Sequence, residues 1–271
     1  MDRIVAARAG ANGELAMHST RRLPERSLTP GLSGPNVLEG DAVRQAIADT
    51  LSAVGGGGRS REVIAVLPDA AVRLLIVEFD SLPTDHDEAA GIVRFRLKKS
   101  VPFDVEQAAF SFQIFRGTNG VKVVAALSPR SVIHEYESAF EDSGFSPGVV
   151  LPSVLATLGL VEADSPTMLV KIDPNTTTIA IANGGELLLL RTLDLAGRVT
   201  GKELADHIHP SMVFFEDTHR ARIESIALTG MSELGGLANE LQAETGTPVT
   251  SLAQRLTEPD AALSGVAGAL A

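Results

Sequence analysis

The chain has 271 residues, 44% of them apolar, which is enough to build sizeable cores and two packed domains. Its 23 Lys and Arg stand against 34 Asp and Glu, a net charge of -11 that repels polyanions and argues against a nucleic-acid function. With no Cys, disulfides and thiolate metal sites are excluded, and with no Trp and a single tyrosine, Tyr136, a stacking platform for single strands is not expected.

No apolar run reaches the roughly 18 residues of a spanning helix, and "MDRIVAARAG" lacks the basic-then-apolar order of a signal peptide, so a cytoplasmic protein without a span is expected. "RIVAARAG" and "ELAMHSTRRLP" read as two strands joined at Asn12-Gly13, a pair that tolerates positive φ. A Pro-rich connector, Pro24 to Pro35, leads to a helix over "GDAVRQAIADTLSAV". There Val43, Ile47 and Leu51 recur at helical spacing and Asp41 is the expected N-cap. The glycine run Gly55 to Gly58 follows a helix and precedes the strand "EVIAVLP", the reverse of a phosphate cradle, and reads as a loop.

"VRLLIVEFDSLP" is a strand and "TDHDEAAGIVRFRLKKS" a helix. Thr84 is its expected cap, Asp85, Asp87 and Glu88 load the first turn, and Arg94, Arg96, Lys98 and Lys99 complement the C-terminal end, which Pro102 stops. With the strands "AAFSFQIFRG" and "VKVVAALS", Leu74 to Ser128 forms a strand-helix-strand-strand unit. Helices follow over "PRSVIHEYESAFEDSG" and "SVLATLGLV". From Thr167, "TMLVKIDPNTTTIAIANGGELLLLRTLDL" reads as three strands with a hairpin at Asn183-Gly184-Gly185. "GKELADHIHPSMVFFEDT" is helical except at Pro210, "IESIALTG" is a buried strand, "SELGGLANELQAETG" a helix stopped by Gly246, and "EPDAALSGVAGAL" a small-residue helix.

Three stretches resemble one family. The order strand, acidic-start helix, "VPFD", "AAFSFQIF" is similar to the inserted subdomain of the type IV pilus assembly protein PilM. "VKIDPNTTTIAIANGGELLLLRTLDLAG" resembles that family's second phosphate hairpin, and "IALTGMSELGGLANELQAETGTPV" its adenosine-binding strand and helix. The resemblance implies an α/β actin-like ATPase (ribonuclease-H-like) two-domain fold with a small inserted α+β subdomain. Residues 1–165 would be the first domain, with 69–128 the insertion, and 166–271 the second. It implies ATP and Mg²⁺ in the cleft, either retained or lost. It also implies a cytoplasmic scaffold, peripheral at the inner membrane, that docks the cytoplasmic peptide of a PilN-like single-span protein beside other pilus platform proteins. A related secretion system is the alternative setting.

Carried over residue by residue, Asp173 is the implied metal ligand, and Asn175, Thr176, Thr177 and Gly230 the implied nucleotide contacts. The chain departs from the pattern in three places. Pro174 brings no N–H to the hairpin, Met231 stands where a glycine run meets the purine, and the Asp-apolar-Gly strand expected ahead of "RIVAARAG" has only Asp2 as a remnant. Gly235 and Gly236 read as helix-packing contacts. For peptide docking, Phe95, Val101 and Phe103 are the candidate apolar contacts, with Arg94 and Lys98 steering. No catalytic group is nominated: His207 and His209 are two apart on a helix, and His134-Glu135 lacks a second His at helical spacing. An active ATPase or small-molecule kinase using Asp173 and Mg·ATP is the rival reading.

Overall fold

The computed structural model describes residues 3–11, 15–55, 60–117, 120–195, 199–230, 234–255 and 263–271. Asn12-Gly13, Asp2, Gly56 to Gly58, Met231 and the start of the last predicted helix lie outside them.

β1 (Arg3–Ala9) and β2 (Leu15–Arg22) form the expected antiparallel hairpin. α1 (Gly40–Val54) buries Val43, Ala46 and Ile47. Its N-cap is Glu39 with no side-chain bond, and Asp41 instead pairs with Arg44 inside the helix. The Asp41 cap expected from the sequence is not formed because the helix starts two residues earlier, with the Val43 N–H already bonded to the Glu39 carbonyl at 3.0 Å; the Ser27 carbonyl anchors the entry by taking the N–H groups of Leu38 and Glu39 at 2.9 and 3.3 Å. That connector is ordered from the far side of the domain. Glu135 accepts the N–H groups of Asn36 (2.6 Å) and Val37 (3.1 Å), and the Tyr136 hydroxyl donates to Asn36 Oδ1 at 3.2 Å.

β3 (Glu62–Leu67) leads through a single 3-10 turn, Asp69–Ala71, into the inserted unit. There β4 (Arg73–Phe79), α2 (His86–Leu97), β5 (Ala108–Gly117) and β6 (Gly120–Pro129) make a three-stranded antiparallel sheet of order β4-β6-β5 around its own core of Val93, Leu97, Val105, Val123 and Leu127. The α2 cap is Asp85 rather than Thr84: its carboxylate accepts the N–H groups of Asp87 and Glu88 at 3.0 and 2.9 Å.

α3 (Arg130–Glu141) returns to the first core, and β7 (Ser146–Pro152) pairs parallel to β3. This strand is unread in the sequence, since Pro147, Gly148 and Pro152 punctuate it like a loop. Its place at an edge, bonded on one side, tolerates them. α4 (Ser153–Leu158) follows.

The second sheet has the order β10-β9-β8-β11-β12, built from β8 (Thr167–Ile172), β9 (Thr177–Asn183), β10 (Glu186–Leu193), β11 (Ser225–Thr229) and β12 (Val249–Ser251). Every residue of β8 is buried. α5 (Gly201–His219) and α6 (Gly235–Thr245) pack on this sheet around Met168, Ile179, Ile208, Phe215 and Leu241. α5 runs unbroken through Pro210, against expectation. Proline removes one helical bond, to the Asp206 carbonyl, whereas the buried stripe Leu204, Ile208, Ser211 and Phe215 holds both sides of it in place. α7 (Ser264–Gly268) turns back onto α4 and β1.

Candidate functional site

A cleft of about 1060 Å³ lies between the two halves. One wall is the β1 hairpin strand with β3, the opposite wall is the turn Asp173–Thr176 with Gly230, and Leu237 and α7 close the sides. Among the described residues β1 ladders with β2 and β3 with β7, and neither reaches a third strand.

Of the implied nucleotide residues, the cleft lining includes Asp173, Asn175, Thr176 and Gly230 and excludes Thr177. Thr177 is fully buried in β9, and its Oγ1 has no hydrogen-bond partner among the described residues. Gly230 has φ +113°, and a Cβ there would overlap the Ile172 carbonyl. This glycine is required by the close passage of β11's end over β8, whatever enters the cleft. Gly236 has nothing within 4 Å of the position a Cβ would take, so it is not the packing contact expected of it. Gly201 is: a Cβ there would collide with Glu240 where α5 crosses α6.

Two residues that the sequence reading passed over dominate the site. Lys171, next to the end of the fully buried β8, is 6% exposed at its side chain, and its ammonium contacts the carboxylate of Asp173 and lies 3.2 Å from Oδ2 of Asp69. Asp69, 1% exposed at its side chain, is fixed through Oδ1 by the Val154 N–H at 2.8 Å and the Ser153 hydroxyl at 3.3 Å. Burial by itself would lower the Lys171 pKa, but the two carboxylates overturn this and hold it above the ordinary lysine value. The Asp173 carboxyl is pushed up by burial, and Asp69 adds to the rise; the Lys171 ammonium offsets only part of it. A charged residue inside "TMLVKI" was the available signal, because a buried ammonium obliges partners elsewhere in the chain.

These residues do not fit a Mg²⁺-bound nucleotide. The carboxylate implied as the metal ligand is committed to an ammonium, the Asp173 N–H donates to the Thr176 carbonyl at 2.8 Å within its own turn, and Pro174 has no N–H. Among the described residues no group of three His, Asp or Glu is arranged to hold a metal.

The candidate docking residues sit in the inserted unit and divide by burial. Phe95 on α2 is 81% exposed, and Lys98 is exposed at the helix end. Val101 and Phe103 pack against the unit's core, and Phe103 also reaches a groove of about 560 Å³ lined by Asp104, Glu106, Gln107, Pro129 and Arg130. Arg94 is engaged internally: it donates to the Val105 carbonyl at 3.1 Å and stacks over Phe110 at 4.6 Å. No described helix is long and apolar enough to cross a membrane.

The sequence matches no family model and no curated protein. Solved structures are similar in fold. The PilM-PilN type IV pilus biogenesis complex aligns over 99% of this chain and 95% of that one, with a TM-score of 0.83 and 19% identity. The cytoplasmic domain of EpsL, an inner-membrane component of the type II secretion system of Vibrio cholerae, aligns over 84% of this chain and 76% of that one, with a TM-score of 0.53 and 13% identity. The ethanolamine utilization protein EutJ of Carboxydothermus hydrogenoformans aligns over 99% and 85%, with a TM-score of 0.53 and 10% identity. The chain has the actin-like ATPase fold, and the PilM-type architecture expected from its sequence holds at the level of that fold.

Proposed function

We propose that this protein is a scaffold of a type IV pilus, or related secretion, platform. It works on the cytoplasmic side of the inner membrane and docks the N-terminal cytoplasmic peptide of a PilN-like single-span partner among the other platform proteins. Residues 1–165 and 166–271 act as its two domains, with 69–128 as the inserted unit. The observation that carries the reading is that inserted unit, which has its own core and presents Phe95 to solvent, with Phe103 beside the groove that Arg130 and Pro129 border. The PilM and EpsL likenesses support a platform role for a protein of this shape.

A short peptide with one or two apolar anchors suits a groove of that size, and the acidic body leaves steering to local cations such as Lys98 and Arg130. The rival reading, an ATPase or small-molecule kinase, needs Asp173 free for Mg²⁺, and its carboxylate is held by Lys171. Nucleotide binding is therefore read as degenerate.

The test is fluorescence titration with a synthetic peptide copying the cytoplasmic N-terminus of a PilN-like single-span protein. Phe103→Ala and Phe95→Ala are each expected to weaken binding about tenfold or more while the far-ultraviolet spectrum is kept. Unchanged affinity in both variants would remove the groove from the account.

A further inference from the structure

The cleft holds a charged cluster that neither peptide docking nor the fold's nucleotide chemistry uses. Asp69 belongs to the turn after β3, in the part of the chain that packs with α1 and α3; Lys171 and Asp173 belong to β8 and the turn that leaves it. Around them the two halves meet through apolar contacts of Leu74 and Val154 with Leu169, Ala180 and Ala227. The cluster is the buried ionic element of this seam, whose other ion pair, Lys122 with Glu186, has its carboxylate half-exposed.

We infer that the Lys171 ammonium is the resident cation of this cleft: it sits between the Asp69 and Asp173 carboxylates, where a divalent ion would otherwise bridge them, and ties the two halves together without metal or nucleotide. Three observations converge on this. The ammonium reaches both carboxylates at once, 3.2 Å from Asp69 and in contact with Asp173. The remaining oxygen of Asp69 is saturated by Val154 and Ser153, so the carboxylate is held in place rather than free to turn toward another ligand. Lys171 emerges from a strand buried along its whole length, so its stem is fixed by packing and the charge has nowhere else to go. An ammonium delivers three donors on a tether and needs no recruitment from solution, whereas Mg²⁺ would have to displace it and shed water to reach the same oxygens. The inference concerns the cleft alone and stands apart from the docking groove beside Phe103.

The test is titration with Mn²⁺, followed by its electron paramagnetic resonance signal and by thermal melting. The native chain is expected to show no saturable Mn²⁺ site and no shift in Tm. Lys171→Ala leaves the fixed Asp69 carboxylate and that of Asp173 facing a cavity: it is expected to gain one saturable Mn²⁺ site, to recover Tm with Mn²⁺ or methylammonium, and to lose both gains when combined with Asp173→Asn. A saturable Mn²⁺ site in the native chain that disappears in Asp173→Asn overturns the inference, and this arm decides the matter even if Lys171→Ala does not fold. A folded Lys171→Ala chain that answers to neither cation also overturns it.

Discussion

Lys171 shows how one side chain changes what a fold can do. An ammonium on a side chain that is 6% exposed persists because two carboxylates surround it, and taking it away leaves the buried Asp69 carboxylate without its cation. Lys171→Met is expected to destabilise the protein by about 3–5 kcal/mol in denaturant unfolding, and the double variant Lys171→Met/Asp69→Leu by clearly less, since removing opposite charges together relieves the unpaired one. Equal or larger loss in the double variant would show that packing, not charge, holds the seam. A second residue-scale prediction concerns Glu203, whose carboxylate accepts the Thr200 N–H at 2.9 Å while Thr200 caps α5 in return. These bonds hold its pKa below the usual carboxylate value, so the stabilisation is complete above that usual value and is lost as pH falls through the lowered one. Exchange of the Thr200 amide, measured by NMR, is expected to lose protection across that acidic window, and Glu203→Gln is expected to flatten the dependence. The family resemblance pointed to Asp173 as a metal ligand because its hairpin matches in order. What it does not contain is the three-dimensional neighbour, Asp69, 102 positions before Lys171.

At the scale of elements, the chain declares most of its helices and strands through apolar period and turn residues. The hairpin of β1 and β2, the strand-helix-strand-strand insertion and the three strands after Thr167 all form where those signals lie. The misses share a cause, in that tertiary contacts outweighed local chemistry. β7 forms despite Pro147 and Gly148 because β3 offers an edge, α5 crosses Pro210 because its buried stripe continues on both sides, and α1 starts ahead of Asp41 because Ser27 anchors the backbone of Leu38 and Glu39. Helix packing separates two glycines that look alike in sequence. Gly201→Ala is expected to cost about 1–3 kcal/mol, because its methyl group collides with Glu240 at the α5–α6 crossing. Gly236→Ala, in α6 with open space around it, is expected to be neutral or to stabilise by about 0.4–1 kcal/mol. Thermal melts of the two variants check both signs, and a costly Gly236→Ala would return that glycine to a packing role.

Across the whole molecule, two cores and an inserted third are joined by an apolar seam, and α7 reaches back to α4 and β1 so that the last helix closes against the first strands. Near Gly159 and Gly268 this contact is so close that a Cβ at either would overlap backbone carbonyls of the opposite helix, which makes the return of the chain a fixed feature rather than a loose tail. A likeness of fold to both pilus and secretion proteins at 19% and 13% identity leaves the chemistry of the cleft to this chain's own residues, among which the Lys171 ammonium stands between Asp69 and Asp173. The most direct measurement is paired calorimetry, titrating the native chain with Mg·ATP and separately with the cytoplasmic peptide of a PilN-like single-span protein. The account predicts saturable heat with the peptide and none with Mg·ATP; saturable Mg·ATP binding that vanishes in Asp173→Ala, with no heat from the peptide, would contradict it.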